Sequence, residues 1–218
     1  MSLKLTDNVE RRHALSLQIK INQIVPPEWC SKCDVCCRFP EKDSFLAPYF
    51  THDEIQSAFA YASGTEYNSV PNFTPEIHPF NKGGMGGFEG GKIILTPFKE
   101  AYICPAFNPA TSHCRIYDIR PLDCVIYPFA IMWSADGRVI VLGLDMKCPY
   151  IAELINSGNL SAAETEMRNT MDSSPVLDII SENPGLVGPF QDDVAHAVVL
   201  TNLTKALAGS APYNPSEV

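Results

Sequence analysis

Cys30-Ser31-Lys32-Cys33-Asp34-Val35-Cys36-Cys37 places four thiols in eight residues, and the rest of the chain reads outward from it. Two-residue gaps between cysteines let one turn of backbone aim several sulfurs at one point, as metal centres require. Four more cysteines follow at Cys104, Cys114, Cys124 and Cys148. Two of these precede proline, in Cys104-Pro105 and Cys148-Pro149. Proline fixes φ and removes an N–H, so the chain leaves each thiol in a set direction.

Two occupants suit this array. Cys30, Cys33 and Cys36 (or Cys37) offer three ligands at the spacing that holds an iron–sulfur cluster, with a remote Cys-Pro as the fourth. Zinc is the alternative, since four thiolates satisfy it in a closed structural site. Spacing does not choose between them. The adjacent pair Cys36-Cys37 fits a single ion poorly, because neighbouring side chains are expected to diverge. Eight thiols also divide evenly into two four-cysteine sites. Lys32, Arg38, Arg115, Arg120 and Lys147 lie near the thiols in sequence and would offset the charge of a thiolate-ligated centre.

At 218 residues the chain can bury a hydrophobic core without disulfides. Its composition, 45% hydrophobic and 19% charged, is that of an ordinary globular protein. A formal charge of −9 with no cluster of Lys and Arg argues against nucleic acid as a partner. No apolar run approaches a membrane span, and the first residues read as neither secretory signal nor anchor. The expected setting is cytoplasmic and reducing, where cysteine arrays bind metals or do redox chemistry.

Local patterns predict an α+β fold. Ala14 to Ile21 alternates like a half-buried strand and stops at Pro26-Pro27, which bring Trp29 to the edge of the cysteines. Ser44 to Ala47 reads as a short strand. Thr51-His52-Asp53-Glu54 is a capping box opening a helix to about Ser63, with Gly64 as its stop. Residues 65–91, rich in Pro, Asn and Gly, read as a flexible surface insertion. Lys92 to Thr96 and Ala101 to Ile103 follow as strands.

Asp136-Gly137 between the apolar runs Phe129–Trp133 and Arg138–Leu142 signals a hairpin. Beyond it the chain reads as helical. Ile151 to Asn156 is a short turn, Ser161 to Glu164 a second capping box, and Pro175 to Ile180 a further helix. A last helix is expected from Asp192-Asp193. The prediction is a small, mostly antiparallel sheet with C-terminal helices and a loop-built cysteine cluster at one end. Residues 1–150 form the metal-binding domain, and residues 151–218 are a helical part packed on the same core.

These residues also carry a family resemblance. Cys30 to Cys37 spells the CxxCxxCC signature and resembles the YkgJ-type cysteine-cluster family, described as zinc- or iron-chelating. Cys104-Pro105, the stretch from Cys114 to Cys124, Tyr127-Pro128-Phe129 and Cys148 are similar to its later blocks. The resemblance spans Trp29 to Pro149 and includes all eight cysteines. It implies a metal ion or cluster held by Cys30, Cys33, Cys36, Cys37, Cys104, Cys114, Cys124 and Cys148. One branch of that family includes flagellin lysine-N-methylases. That kinship implies an iron–sulfur centre, of the 4Fe–4S type, and opens a protein-lysine N-methylase-like reading. The leading expectation is an iron–sulfur protein for electron transfer or the redox part of a modifying enzyme. A zinc-binding interaction module with a protein partner is the alternative.

Weaker patterns add little. Gly86 to Lys92 fits GxxxxGK, but Ile93 replaces the Ser or Thr that holds Mg²⁺, so it reads as loop. His113 beside Cys114 is a candidate fourth ligand with a polar turn as its default. His13, His52, His78 and His196 are expected to ligate nothing. Arg120 is a candidate orienting group that hydrogen-bonds a carboxylate or a carbonyl, with Asp118 or Asp123 as a candidate partner, and Tyr102, Tyr117, Tyr127 and Trp133 are candidate walls.

Overall fold

The computed structural model describes residues 21–64, 73–75 and 90–208. Helix α1 (Pro27–Cys30) begins on Pro27, whose missing N–H costs nothing in a first turn. A 3₁₀ turn at Val35–Cys37 leads into strand β1 (Arg38–Phe39). Strand β2 (Tyr49–Phe50) then runs into helix α2 (His52–Gly64).

The predicted capping box opens α2. The Thr51 N–H donates to Glu54 Oε2 at 2.8 Å, and the Glu54 N–H donates to Thr51 Oγ1 at 3.3 Å. Glu54 also accepts the Leu122 N–H at 2.7 Å. One buried carboxylate thus supplies acceptors at the starts of two helices, α2 and α3 (Leu122–Ile126).

Short strands carry the middle of the chain: β3 (Phe73–Pro75), β4 (Gly91–Ile93), β5 (Thr96–Phe98), β6 (Ala101–Ile103), β7 (Phe107–Asn108) and β8 (His113–Cys114). They form two three-stranded antiparallel sheets, β1-β6-β5 and β2-β4-β3, and a β7–β8 ribbon.

The predicted hairpin is present as β9 (Phe129–Trp133) and β10 (Ile140–Leu144), with Gly137 at φ 67° in its turn. Glycine takes that left-handed conformation without a Cβ clash. Helices α4 (Pro149–Asn156), α5 (Leu160–Met171) and α6 (Ser174–Glu182) follow. Strand β11 (Ala195–Val199) pairs with β10, completing the antiparallel order β11-β10-β9, and α7 (Thr201–Ala206) closes the described chain. The fold is α+β with small antiparallel sheets. No helix among the described residues is long and apolar enough to cross a membrane.

Two main hydrophobic clusters result. One gathers β9, β10 and the helices around Phe129, Leu142, Ile151, Met167, Ile180 and Leu203. The other gathers Phe39, Phe50, Ile93, Ile103, Phe107 and Ile116. Burying each such side chain stabilises by about 1.5–3 kcal/mol.

Several expectations give way. Ala195–Val199 is a strand where a helix from Asp192-Asp193 was expected, because ladder bonds to β10 outweigh the apolar period. Ser44 to Ala47 is a turn: Ser44 Oγ accepts the Leu46 N–H at 3.3 Å, and its carbonyl accepts the Ala47 N–H at 3.0 Å. Lys92 to Thr96 is not one strand, since β4 ends at Ile93 and β5 starts at Thr96 in a different sheet. The Ser161 box does not form; α5 starts at Leu160. Ala14 to Lys20 and most of 65–91 lie outside the described residues, although Phe73–Pro75 and Gly91 within that insertion are strand.

Candidate metal centre

Most of the cysteines sit at the end of an element or in a tight turn. Cys30 closes α1, and its carbonyl accepts the Cys33 N–H at 3.3 Å. Cys36 and Cys37 share the following 3₁₀ turn. The Cys37 carbonyl accepts the Cys104 N–H at 3.0 Å, tying the first block to the second. Cys104-Pro105 begins a turn closed by Phe107 N–H to the Cys104 carbonyl at 2.9 Å, and Phe107 pairs with Cys114 across β7–β8. Cys124 lies on α3. Cys148 precedes α4, with Pro149 at its first position. All eight are free thiols.

Cys30, Cys33, Cys36, Cys37, Cys114 and Cys148 line one half-open cavity of about 280 Å³. Cys104, which is buried, and Cys124, which is half-buried, are not among its lining residues. Trp29, Phe107, Tyr117, Tyr127 and Tyr150 supply much of the apolar wall. Trp29 packs edge-on to Tyr150 at 5.4 Å, which joins α1 to α4. Tyr117, Tyr127 and Trp29 thus stand where the sequence reading put them, whereas Tyr102 and Trp133 are built into the two cores. His113 reaches the rim.

The Cys36 and Cys37 sulfurs are 3.9 Å apart, so this adjacent pair does not diverge as expected. Among the described residues, no three Cys, His, Asp or Glu side chains stand grouped tightly enough to hold a metal ion as they are.

Burial dominates the electrostatics. It pushes up the thiols of Cys30, Cys114 and Cys124, lifts Cys104 to about 12, and lifts Cys148 to about 11. The contact between the Cys36 and Cys37 sulfurs holds the first thiol down and pushes the second up. The Arg120 guanidinium acts against burial at Cys30 and Cys114 and adds to the lowering at Cys36.

Arg120 stacks over the Tyr117 ring at 3.8 Å, donates to the Tyr117 carbonyl at 3.1 Å and donates to Gln23 Oε1. It thus takes a carbonyl, one of the two acceptor types expected, rather than the carboxylate of Asp118 or Asp123. Asp123 instead accepts the Tyr49 N–H at 2.9 Å. Gln23 Nε2 donates to Cys30 Sγ at 3.5 Å, and the Tyr117 hydroxyl donates to Gln23 Oε1 at 3.2 Å. No sequence signal marked Gln23, which precedes the cysteine block. Tyr150 could have been noticed, since it directly follows Cys148-Pro149.

Of the other cations near thiols, Arg38 pairs with Asp34 and Lys147 with Asp193. Buried thiols of this kind suit a soft metal, whose charge would reverse the cost of ionising them.

Residues 29–149 match the CxxCxxCC family, a putative zinc- or iron-chelating domain, and the chain belongs to that family. The class is thus a cysteine-rich metal-chelating domain. No curated protein and no solved structure matches the chain. These comparisons do not tie it to the flagellin lysine-N-methylases.

Proposed function

We propose that the cavity holds an iron–sulfur cluster ligated by Cys30, Cys33, Cys36 and Cys148. The cluster serves electron transfer or the redox step of a modifying enzyme. The observation that carries this reading is the cavity itself. A lone zinc ion needs only its four sulfurs at about 2.3 Å, which sets their edges at roughly 3.8 Å and leaves no space inside. Here the thiols instead wall a space of about 280 Å³.

The donors also fit the group. All four candidate ligands are thiols on one cavity wall, and Cys148 precedes a proline. When bound, such a cluster supplies one-electron chemistry at a potential set by its surroundings. Trp29, Tyr127 and Tyr150 wall the cavity beside the sulfurs, Arg120 offsets negative charge, and the Gln23 N–H···S bond favours the thiolate of Cys30. Free thiols suit a reducing, cytoplasmic setting.

Purification without oxygen followed by iron, sulfide and zinc analysis tests the proposal. The expected result is brown protein with iron and sulfide in equal amounts, about four of each per chain. Colourless protein carrying only zinc would overturn it.

A further inference from the structure

Two of the thiols on the cavity wall touch: the Cys36 and Cys37 sulfurs lie 3.9 Å apart. The 3₁₀ turn at Val35–Cys37 sets this contact, and backbone bonds fix Cys37 on both sides. Its N–H donates to the Asp34 carbonyl at 3.0 Å, and its carbonyl accepts the Cys104 N–H at 3.0 Å. The two side chains differ in access. Cys36 is exposed, whereas Cys37 is half-buried and packs against the N-terminal core. A reagent arriving from solvent therefore meets Cys36 first, with an anchored thiol beside it. The ligand set proposed above uses Cys36 and leaves Cys37 free.

From this contact we propose that Cys36 and Cys37 form a peroxide-reactive pair, closing to a disulfide that withdraws Cys36 from the metal centre. The thiol chemistry rests on the contact alone, and the loss of metal rests on the cluster assignment. The Cys36 thiolate attacks the O–O bond of hydrogen peroxide, forming an S–O bond and expelling hydroxide. The Cys37 thiol then forms the S–S bond, and the oxygen leaves Cys36 as water with the Cys37 proton. Each sulfur gives up one electron, and the two peroxide oxygens accept them. Neighbouring Cα atoms are about 3.8 Å apart, short of the roughly 4.4–6.8 Å that disulfides usually span. A bond so placed is strained and easily reduced, which suits a reversible switch better than a permanent staple.

The test treats the full-length, metal-carrying protein with hydrogen peroxide, blocks the remaining thiols and maps the peptide 34–38. Cleavage before Asp34 and after Arg38 leaves Cys36 and Cys37 as its only cysteines. The expected peptide is unblocked and two hydrogens lighter, metal is released in step with it, and dithiothreitol restores both thiols. Cys37→Ser should still react at Cys36 but run on to the sulfinic or sulfonic acid. Should that variant fail to fold, the map of the unaltered protein decides alone. Two free thiols in peptide 34–38 after other cysteines have oxidised, or a bond from Cys36 to Cys30, Cys33 or Cys148, would overturn the pair. Bond formation without release of metal would overturn the withdrawal of Cys36. A chain that forms the bond but never carries iron and sulfide would overturn the cluster and leave the pair standing.

Discussion

The two cores are built on different terms. In the C-terminal one, β10 is buried along its whole length, and α4, α5, α6 and α7 each place at least one side chain in the cluster. In the N-terminal one, strands run for only two or three residues, and cysteines themselves fill positions in the cluster. Long ladders and apolar faces sustain a fold unaided, whereas two-residue strands joined by turns bury too little to offset their conformational entropy. The difference predicts that the half with the two-residue strands depends on a bound metal to stay folded and that the hairpin half does not.

Removing the metal is the strongest way to break that contrast. Structural thiolate sites can contribute on the order of 10 kcal/mol to folding. Chelation should therefore abolish hydrogen-exchange protection across β1, β6, β7 and β8 while leaving β9 and β10 protected. Uniform loss across both halves would show that they are one cooperative unit. The reciprocal change is Leu142→Ala in fully buried β10. It should cost about 2–5 kcal/mol in urea melts, with no change in the metal content of the protein that remains folded.

The same contrast explains what was legible in the sequence. The Thr51 box and the Asp136-Gly137 turn were readable because their hydrogen bonds close within a few residues. Asp136 Oδ1, for example, accepts both the Ser134 hydroxyl at 2.7 Å and the Arg138 N–H at 3.1 Å. Strand β11 was not readable, because its conformation depends on an edge of β10 about fifty residues earlier.

The site divides similarly. Thiols announce themselves by spacing, so the metal-chelating character was visible. Which six of the eight thiols line the cavity was not, because that depends on how the loops pack in the folded chain. Gln23 was missed because only the folded chain brings it to Cys30 and Tyr117, whereas Tyr150 stood in plain sight after Cys148-Pro149.

The smallest expected effect tests a surface clasp within the hairpin half. Lys147, next to Cys148, pairs with Asp193, ahead of β11. Both side chains are about half exposed, 55% and 47%, so water screens most of the attraction. The pair should contribute no more than about 0.2–1 kcal/mol. Hydrogen bonding to Lys147 lowers the Asp193 carboxyl, and the same bond raises the Lys147 ammonium. The lowered carboxyl contributes stability above the ordinary aspartate range and loses it as pH falls through the folded value. The raised ammonium contributes below the ordinary lysine range and loses it as pH rises through the folded value. The pair's contribution is therefore a plateau through neutral pH, falling at both ends. Asp193→Asn should remove that plateau in low-salt melts and change little in high salt. A loss well above 1 kcal/mol that salt does not diminish would mean that the approach to β11 is held here by more than a surface ion pair.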